Sequence, residues 1–258
     1  YAVTKHMNTA HGDFLVLAMY GSFVFSAVIG LDPYLSILIL IPIMALIGLI
    51  VFRLLLQPMM QAYPVMVILL FLGVTFTLEN ALLMVFKPRM RAVPSFVDMS
   101  NVVLGDVRIR TPQLVAFIAS LLVVLTLYWI LRNTQLGRII RASAENPQAA
   151  ALMGVNVGKV QFGVFAISFA LLGVAGPLLV PIFSFSPYTG LDFTLFVIMI
   201  MVLGGLGNFL GILIASFLIG ISMALSTLIW GTTMASAIPF GIFAIFLLFR
   251  PHGLLVRQ

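Results

Sequence analysis

Cysteine is absent from the 258-residue chain, which excludes disulfides, thiolate metal sites and cysteine nucleophiles. Charge is nearly as scarce. Only 8% of residues are Asp, Glu, Lys or Arg, against about 25% in an ordinary soluble domain. Histidine is confined to His6, His11 and His252, too scattered to read as a metal site. No nucleophile–base pair or carboxylate dyad is visible, which sets an enzyme far behind other readings. No Walker sequence is present, so ATP is not expected to be hydrolysed on this chain. The N-terminus, Tyr1-Ala-Val-Thr-Lys5, has neither an initiator Met nor a signal-peptide pattern, leaving a trimmed start or an upstream segment as the two expectations.

What remains is hydrophobic: 62% of the residues. Val160–Leu191 carries no charge, and Phe193–Phe249 is a second, longer uncharged run. A membrane-spanning helix needs about 20 apolar residues, so the second run alone holds two spans or more. A soluble fold of this length could not bury so much apolar surface. The expected fold is therefore all-α: a polytopic integral membrane helical bundle, one transmembrane domain over 1–258. Uncharged windows and Pro/Gly punctuation place spans at 14–30, 34–56, 64–86, 113–131, 161–181, 193–204, 208–230 and 235–249. Two of these are short for a full crossing, which predicts discontinuous or re-entrant helices.

The net charge of +6 does not point to nucleic acid. The cations sit in interspan loops, which suits anionic lipid and topology signals. The two longest polar stretches are 87–112 and 132–160. Arg132, Arg138, Arg141 and Lys159 in the second, and Arg250 and Arg257 in the tail, lie an even number of spans apart. Both therefore fall on one side, which the positive-inside rule makes cytoplasmic. Loop 87–112 is then external, although it carries Lys87, Arg89, Arg91, Arg108 and Arg110, diluted only by Asp98 and Asp106.

Within 132–160, Asn146 suits an N-cap, Pro147 the first helical position and Gly154 a left-handed stop. Ala149, Ala150, Ala151, Leu152 and Met153 lie between, small and apolar on a loop facing water. A coupling helix docking on a partner fits this pattern; so does a helix lying on the membrane. Gly204, Gly205 and Gly207 complete no nucleotide fingerprint. They read as a helix break, with Gly207 and Gly211 in the G-x-x-x-G spacing that permits close helix contact. Gly173, Gly176 and Pro177 read as close packing and a kink. Glu79 and Asn80 interrupt the otherwise uncharged Leu54–Phe86 segment. An ionised carboxylate at a helix centre costs about 2.5–3.5 kcal/mol, so Glu79 should meet a cavity or a partner. Thr75 shares its face four residues away. Asp192 borders two uncharged runs and carries the same two readings. Asn8 and His11 are a further group, where a broken helix would expose backbone dipoles to a solute. Ser184, Ser186 and Tyr188 flank a proline-broken segment and complete the polar groups available to a solute path.

The Arg138–Gly154 stretch resembles the ATPase-contacting loop of LivH-type permeases, the branched-chain amino-acid family of ABC importers. Asn8-Thr-Ala-His-Gly-Asp13, Ser186-Pro-Tyr-Thr-Gly190, Val202-Leu-Gly-Gly-Leu-Gly-Asn208 and Phe249-Arg-Pro-His-Gly-Leu254 resemble further elements of that family in order. Departures are Asn208, where Ser is common, and Glu79, where a neutral polar residue is usual. Family members also carry another hydrophobic span before the His-Gly element. The resemblance implies a permease subunit in a bacterial-type inner membrane, binding no cofactor itself. A second related permease chain, two ATPase subunits holding ATP and Mg, and a solute-binding protein would be its partners. It also implies a coupling role for Arg138, Arg141, Ala142, Glu145, Asn146, Pro147, Ala150, Leu152 and Gly154. The competing class is a self-sufficient channel or ion-coupled carrier. Such a carrier usually shows several intramembrane ionisable residues, and only Glu79 is evident here.

Overall fold

In the computed structural model, residues 7–249 are described apart from 61, 97–100, 105–106, 206 and 232–233, with the backbone alone at 101–104 and 107–108. The tail cations Arg250 and Arg257, the Arg-Pro-His-Gly-Leu254 element, His6, Asp98 and Asp106 lie outside the described residues. So does the side chain of Arg108.

The helices are α1 (His11–Ile29), α2 (Pro33–Val51), α3 (Pro64–Phe86), α4 (Thr111–Asn133), α5 (Gln135–Glu145), α6 (Pro147–Leu152), α7 (Val157–Leu179), α8 (Thr189–Gly204), α9 (Phe209–Trp230) and α10 (Ala237–Phe249). Prolines in the first turn start α2, α3, α4 and α6, where the ring costs no hydrogen bond. α2 runs on through a π-helical turn, Phe52–Leu56, and a 3₁₀ turn, Gln57–Met59. With that extension, α1, α2, α3, α4, α7 and α9 are each long and apolar enough to cross a membrane. α8 and α10 have 16 and 13 residues, or about 24 and 20 Å at the helical rise, short of a core about 30 Å thick. The short spans expected from sequence are thus present, with α8 beginning at Thr189 rather than 193.

The polar stretch 87–112 holds a two-stranded antiparallel ribbon, β1 (Asn101–Leu104) and β2 (Val107–Arg110), in register Asn101 opposite Arg110. Two ties hold the start of this stretch to the bundle. Asp32 caps α2 through Tyr34 N–H and also accepts from Ser95 Oγ at 2.7 Å and Phe96 N–H at 2.9 Å. Arg91 pairs its backbone with Phe185 and sets its guanidinium 4.8 Å from the Phe23 ring centre.

The chain divides into two compact units, the division falling within α8 between residues 193 and 194. In the first, glycines of α2 and α7 bring the backbones together. A Cβ on Gly48 would lie 2.6 Å from Phe169, one on Gly173 2.6 Å from the Leu40 carbonyl oxygen, and one on Gly176 2.7 Å from Ala18. Lipid tails offer helices no hydrophobic drive to associate, so such close approach and the dispersion it brings do that work. A hydroxyl bridge from Ser36 to Ser22, 2.9 Å, joins α2 to α1. In the second unit Met199, Leu203, Ala215 and Ile219 form a small core.

Candidate functional site

The first candidate group lies at the start of α1. Asn8 Oδ1 accepts from the Ala10 N–H at 3.0 Å, closing the turn from which α1 departs. Two residues after His11, Asp13 is buried, and its Oδ2 accepts from the Thr75 hydroxyl at 2.7 Å. Thr75 is the middle residue of α3, so the first turn of α1 stands level with the centre of a full span. A second contact gives the same depth: the Phe14 ring meets Phe169, near the middle of α7, at 4.6 Å. α1 therefore begins level with the middles of α3 and α7.

α8 begins beside it. A Cβ on Gly190, in the first turn of α8, would run into the Asp13 carboxyl oxygen and lie 3.0 Å from the Asp13 Cα. Only a residue without a side chain lets the two helix starts come this close. Just before it, Thr189 Oγ1 accepts from the Ser186 N–H at 2.9 Å, closing the turn into α8. Two helix N-termini, both positive dipole ends, thus converge on one buried carboxyl. A turn that leaves its backbone at this depth is tolerated only inside protein or beside a cavity.

Sequence reasoning placed Asp13 only at the end of the Asn8–Asp13 element and left it out of the solute path. The signal that could have found it is the one applied to Glu79, an acid inside an apolar span. Glu79 itself is half-buried, one turn beyond Thr75, and Asn80 is exposed, its amide donating to the Phe76 carbonyl at 2.7 Å. His11 and Asn8 are half-buried and Ser186 is buried, while Tyr188 and Asp192 are exposed. The node brings Thr75 together with the α1 and α8 starts, but neither Tyr188 nor Asn80 is among its contacts.

The second candidate group is the 134–156 segment. The helix expected between the Asn146 cap and the Gly154 stop is α6, and a separate helix, α5, precedes it and ends at Asn146. Thr134 starts α5 by accepting from the Gly137 N–H at 3.1 Å. Gly137 lies so close to the end of α4 that a Cβ would collide with the Leu131 carbonyl oxygen. Asn146 Oδ1 accepts from the N–H groups of Gln148 and Ala149, capping α6 with Pro147 in its first turn. Gly154 turns the chain at φ +83°. Arg138, Arg141, Ala142 and Glu145 repeat at helical spacing on α5 and are all exposed. On α6 one residue of the expected exposed run turns inward, and Ala149, Ala151, Leu152 and Met153 stay exposed. Ala150 is 5% exposed and packs inward, whereas Leu152 and Met153 are 89% and 85% exposed. α6 is seated by its alanine and presents its large apolar residues.

At the glycine-rich break, Gly205 and Gly207 both take φ +89°, the left-handed region that favours glycine. The close helix contact expected of a Gly207–Gly211 face is made instead by Gly204 and Gly211. A Cβ on Gly204 would sit 2.5 Å from Ile212 Cα, and one on Gly211 would strike the Gly204 carbonyl oxygen. Gly207 precedes α9 and so cannot share a helical face with Gly211. Asn208 Oδ1 accepts from the Gly211 N–H and caps α9, a task Ser also performs.

Among known proteins, the family model described as branched-chain amino acid transport system / permease component matches residues 1–247. The high-affinity branched-chain amino acid transport system permease protein LivH of Escherichia coli K12 is 28% identical over all of this chain and 88% of its own length. BraD of Pseudomonas aeruginosa, named for the same kind of system, is 26% identical with the same coverage. A probable LivH of Methanocaldococcus jannaschii is 30% identical over 88% of this chain and 73% of its own. No solved structure matches. With a family match over residues 1–247 and relatives matched over most of both chains, the chain belongs to the branched-chain amino acid transport system permease family.

Proposed function

We propose that this chain lines the membrane path of an importer for branched-chain or similar hydrophobic amino acids, and that its 134–156 segment receives the motion of separate ATPase subunits. Family membership makes the chain a multi-pass permease subunit of an ABC importer, not an enzyme, working with other components of such a system. The finer reading rests on one observation: the buried Asp13–Thr75 pair, at mid-depth, where α1 and α8 both begin. A zwitterionic solute needs a few polar groups on apolar walls, and helix starts supply N–H groups for its carboxylate. Asn8, His11, Thr75, Glu79, Ser186 and Tyr188 are the further residues proposed to serve that path.

In this reading a second, related permease chain completes the path, a solute-binding protein delivers from outside, and two ATPases hold ATP and Mg. ATP shifts the inward–outward equilibrium only through contacts that differ between the states. The exposed Arg138, Arg141 and Glu145 of α5, together with exposed Leu152 and Met153, are the surface offered for those contacts. The complex, reconstituted in vesicles with its binding protein, tests the solute. Leucine, isoleucine or valine should stimulate ATP turnover severalfold, and ribose or urea should not. Stimulation by ribose or urea alone would overturn the amino-acid reading.

A further inference from the structure

A cavity of about 430 Å³ opens between the end of α2 and the start of α7. It lies far from the mid-depth node, at the helix ends next to the 134–156 segment. Its walls are of two kinds. Phe52, from the π-helical turn, and Phe162 meet edge to face at 5.7 Å and make an apolar back. Gln57, Gly158, Lys159 and Gln161 make a polar mouth. No lining residue is acidic, and among the described residues no carboxylate pairs with Lys159. Asn156 Oδ1 caps α7 by accepting from the Lys159 N–H at 3.0 Å. The exposed backbone of Gly158 remains on the cavity wall.

We infer that this cavity binds the phosphodiester headgroup of an anionic membrane phospholipid. α7 is a full span, so its first turn lies at the membrane boundary, where headgroups are. The Lys159 ammonium supplies a compact cation for the phosphate, with the Gly158 amide beside it at the positive end of α7. A choline or ethanolamine headgroup would bring its own cation next to Lys159, with no carboxylate to receive it. Free phosphate would leave the Phe52–Phe162 wall unused. The acyl chains have apolar surface as well: Leu46 and Ile50 on α2 and Leu54 in its π-helical extension are exposed. Arg53, exposed in the same turn as Phe52, adds a second cation at that level. Because α7 starts five residues after α6 ends, a lipid held here fixes the base of the 134–156 segment.

The full-length chain, purified with its attached subunits, is placed in phosphatidylcholine nanodiscs with a minor fraction of phosphatidylglycerol, and the retained lipid is counted by native mass spectrometry. The wild type should retain phosphatidylglycerol in preference to phosphatidylcholine. Lys159→Gln should lose about fivefold of that preference, the worth of one cation near the surface. Lys159→Arg should keep most of it, as should Arg89→Gln, a surface cation beyond the opposite end of α3. Equal retention by Lys159→Gln, equal retention of phosphatidylcholine, or displacement of the lipid by added inorganic phosphate would each overturn the assignment. The readout is independent of transport, so it stands or falls apart from the solute proposed above.

Discussion

The Thr75 hydroxyl is the partner given to Asp13, and both groups are buried. Removing one partner of a buried polar pair leaves the other unsatisfied, at about 1–3 kcal/mol. Thr75→Val should therefore lower the unfolding free energy of the detergent-purified chain by that order, while Thr75→Ser should stay near wild type. Gly190→Ala forces a methyl group into the Asp13 carboxyl. It should reduce the amount of folded chain, as read by size exclusion, more than Gly220→Ala does, because a Cβ at Gly220 meets nothing within 4 Å. Asn208 and its cap give a milder case. Asn208→Ser should be nearly neutral, and Asn208→Ala should cost about 1 kcal/mol in the same unfolding measurement.

At the scale of elements, the opposite faces of α6 separate folding from docking. Ala150→Arg puts a long cation where the helix is seated and should lower the level of folded chain. Leu152→Arg alters a side chain already in solvent. It should leave the fold intact while reducing copurified ATPase subunits severalfold; full retention of those subunits would remove α6 from the docking surface. The sequence made α6 legible because its cap, proline and terminal glycine are local signals. Which alanine turned inward was not legible, since that follows from how α6 packs on α5 and α7. The Asp13–Thr75 pair was hidden for the same reason, its members being 62 residues apart. Span boundaries held up well, because charge and proline mark where the chain leaves the apolar phase. The π-helical turn at Phe52–Leu56 followed no such mark, and neither did the ribbon in 87–112, where the sequence showed only polarity.

For the whole molecule, the decisive property is what this chain leaves uncovered. None of the most apolar stretch of α4 is buried within the chain, and Phe117, Leu122, Leu125 and Trp129 stand exposed along it. Glu79 is in a related position: half-buried, one turn from the node, with no partner among the described residues. A carboxylate left in hydrocarbon is costly, so it should face water in the path or the second permease chain. Replacing it with Leu removes that polar group but adds apolar surface, which favours insertion. Glu79→Leu should therefore reach the membrane and hold its subunits at wild-type levels, yet lose solute-stimulated ATP turnover by tenfold or more. Glu79→Gln, which keeps a polar group at the same place, should retain part of that turnover. Turnover at the normal rate in the Leu variant would place Glu79 outside the path and leave the Asp13–Thr75 node as its polar centre.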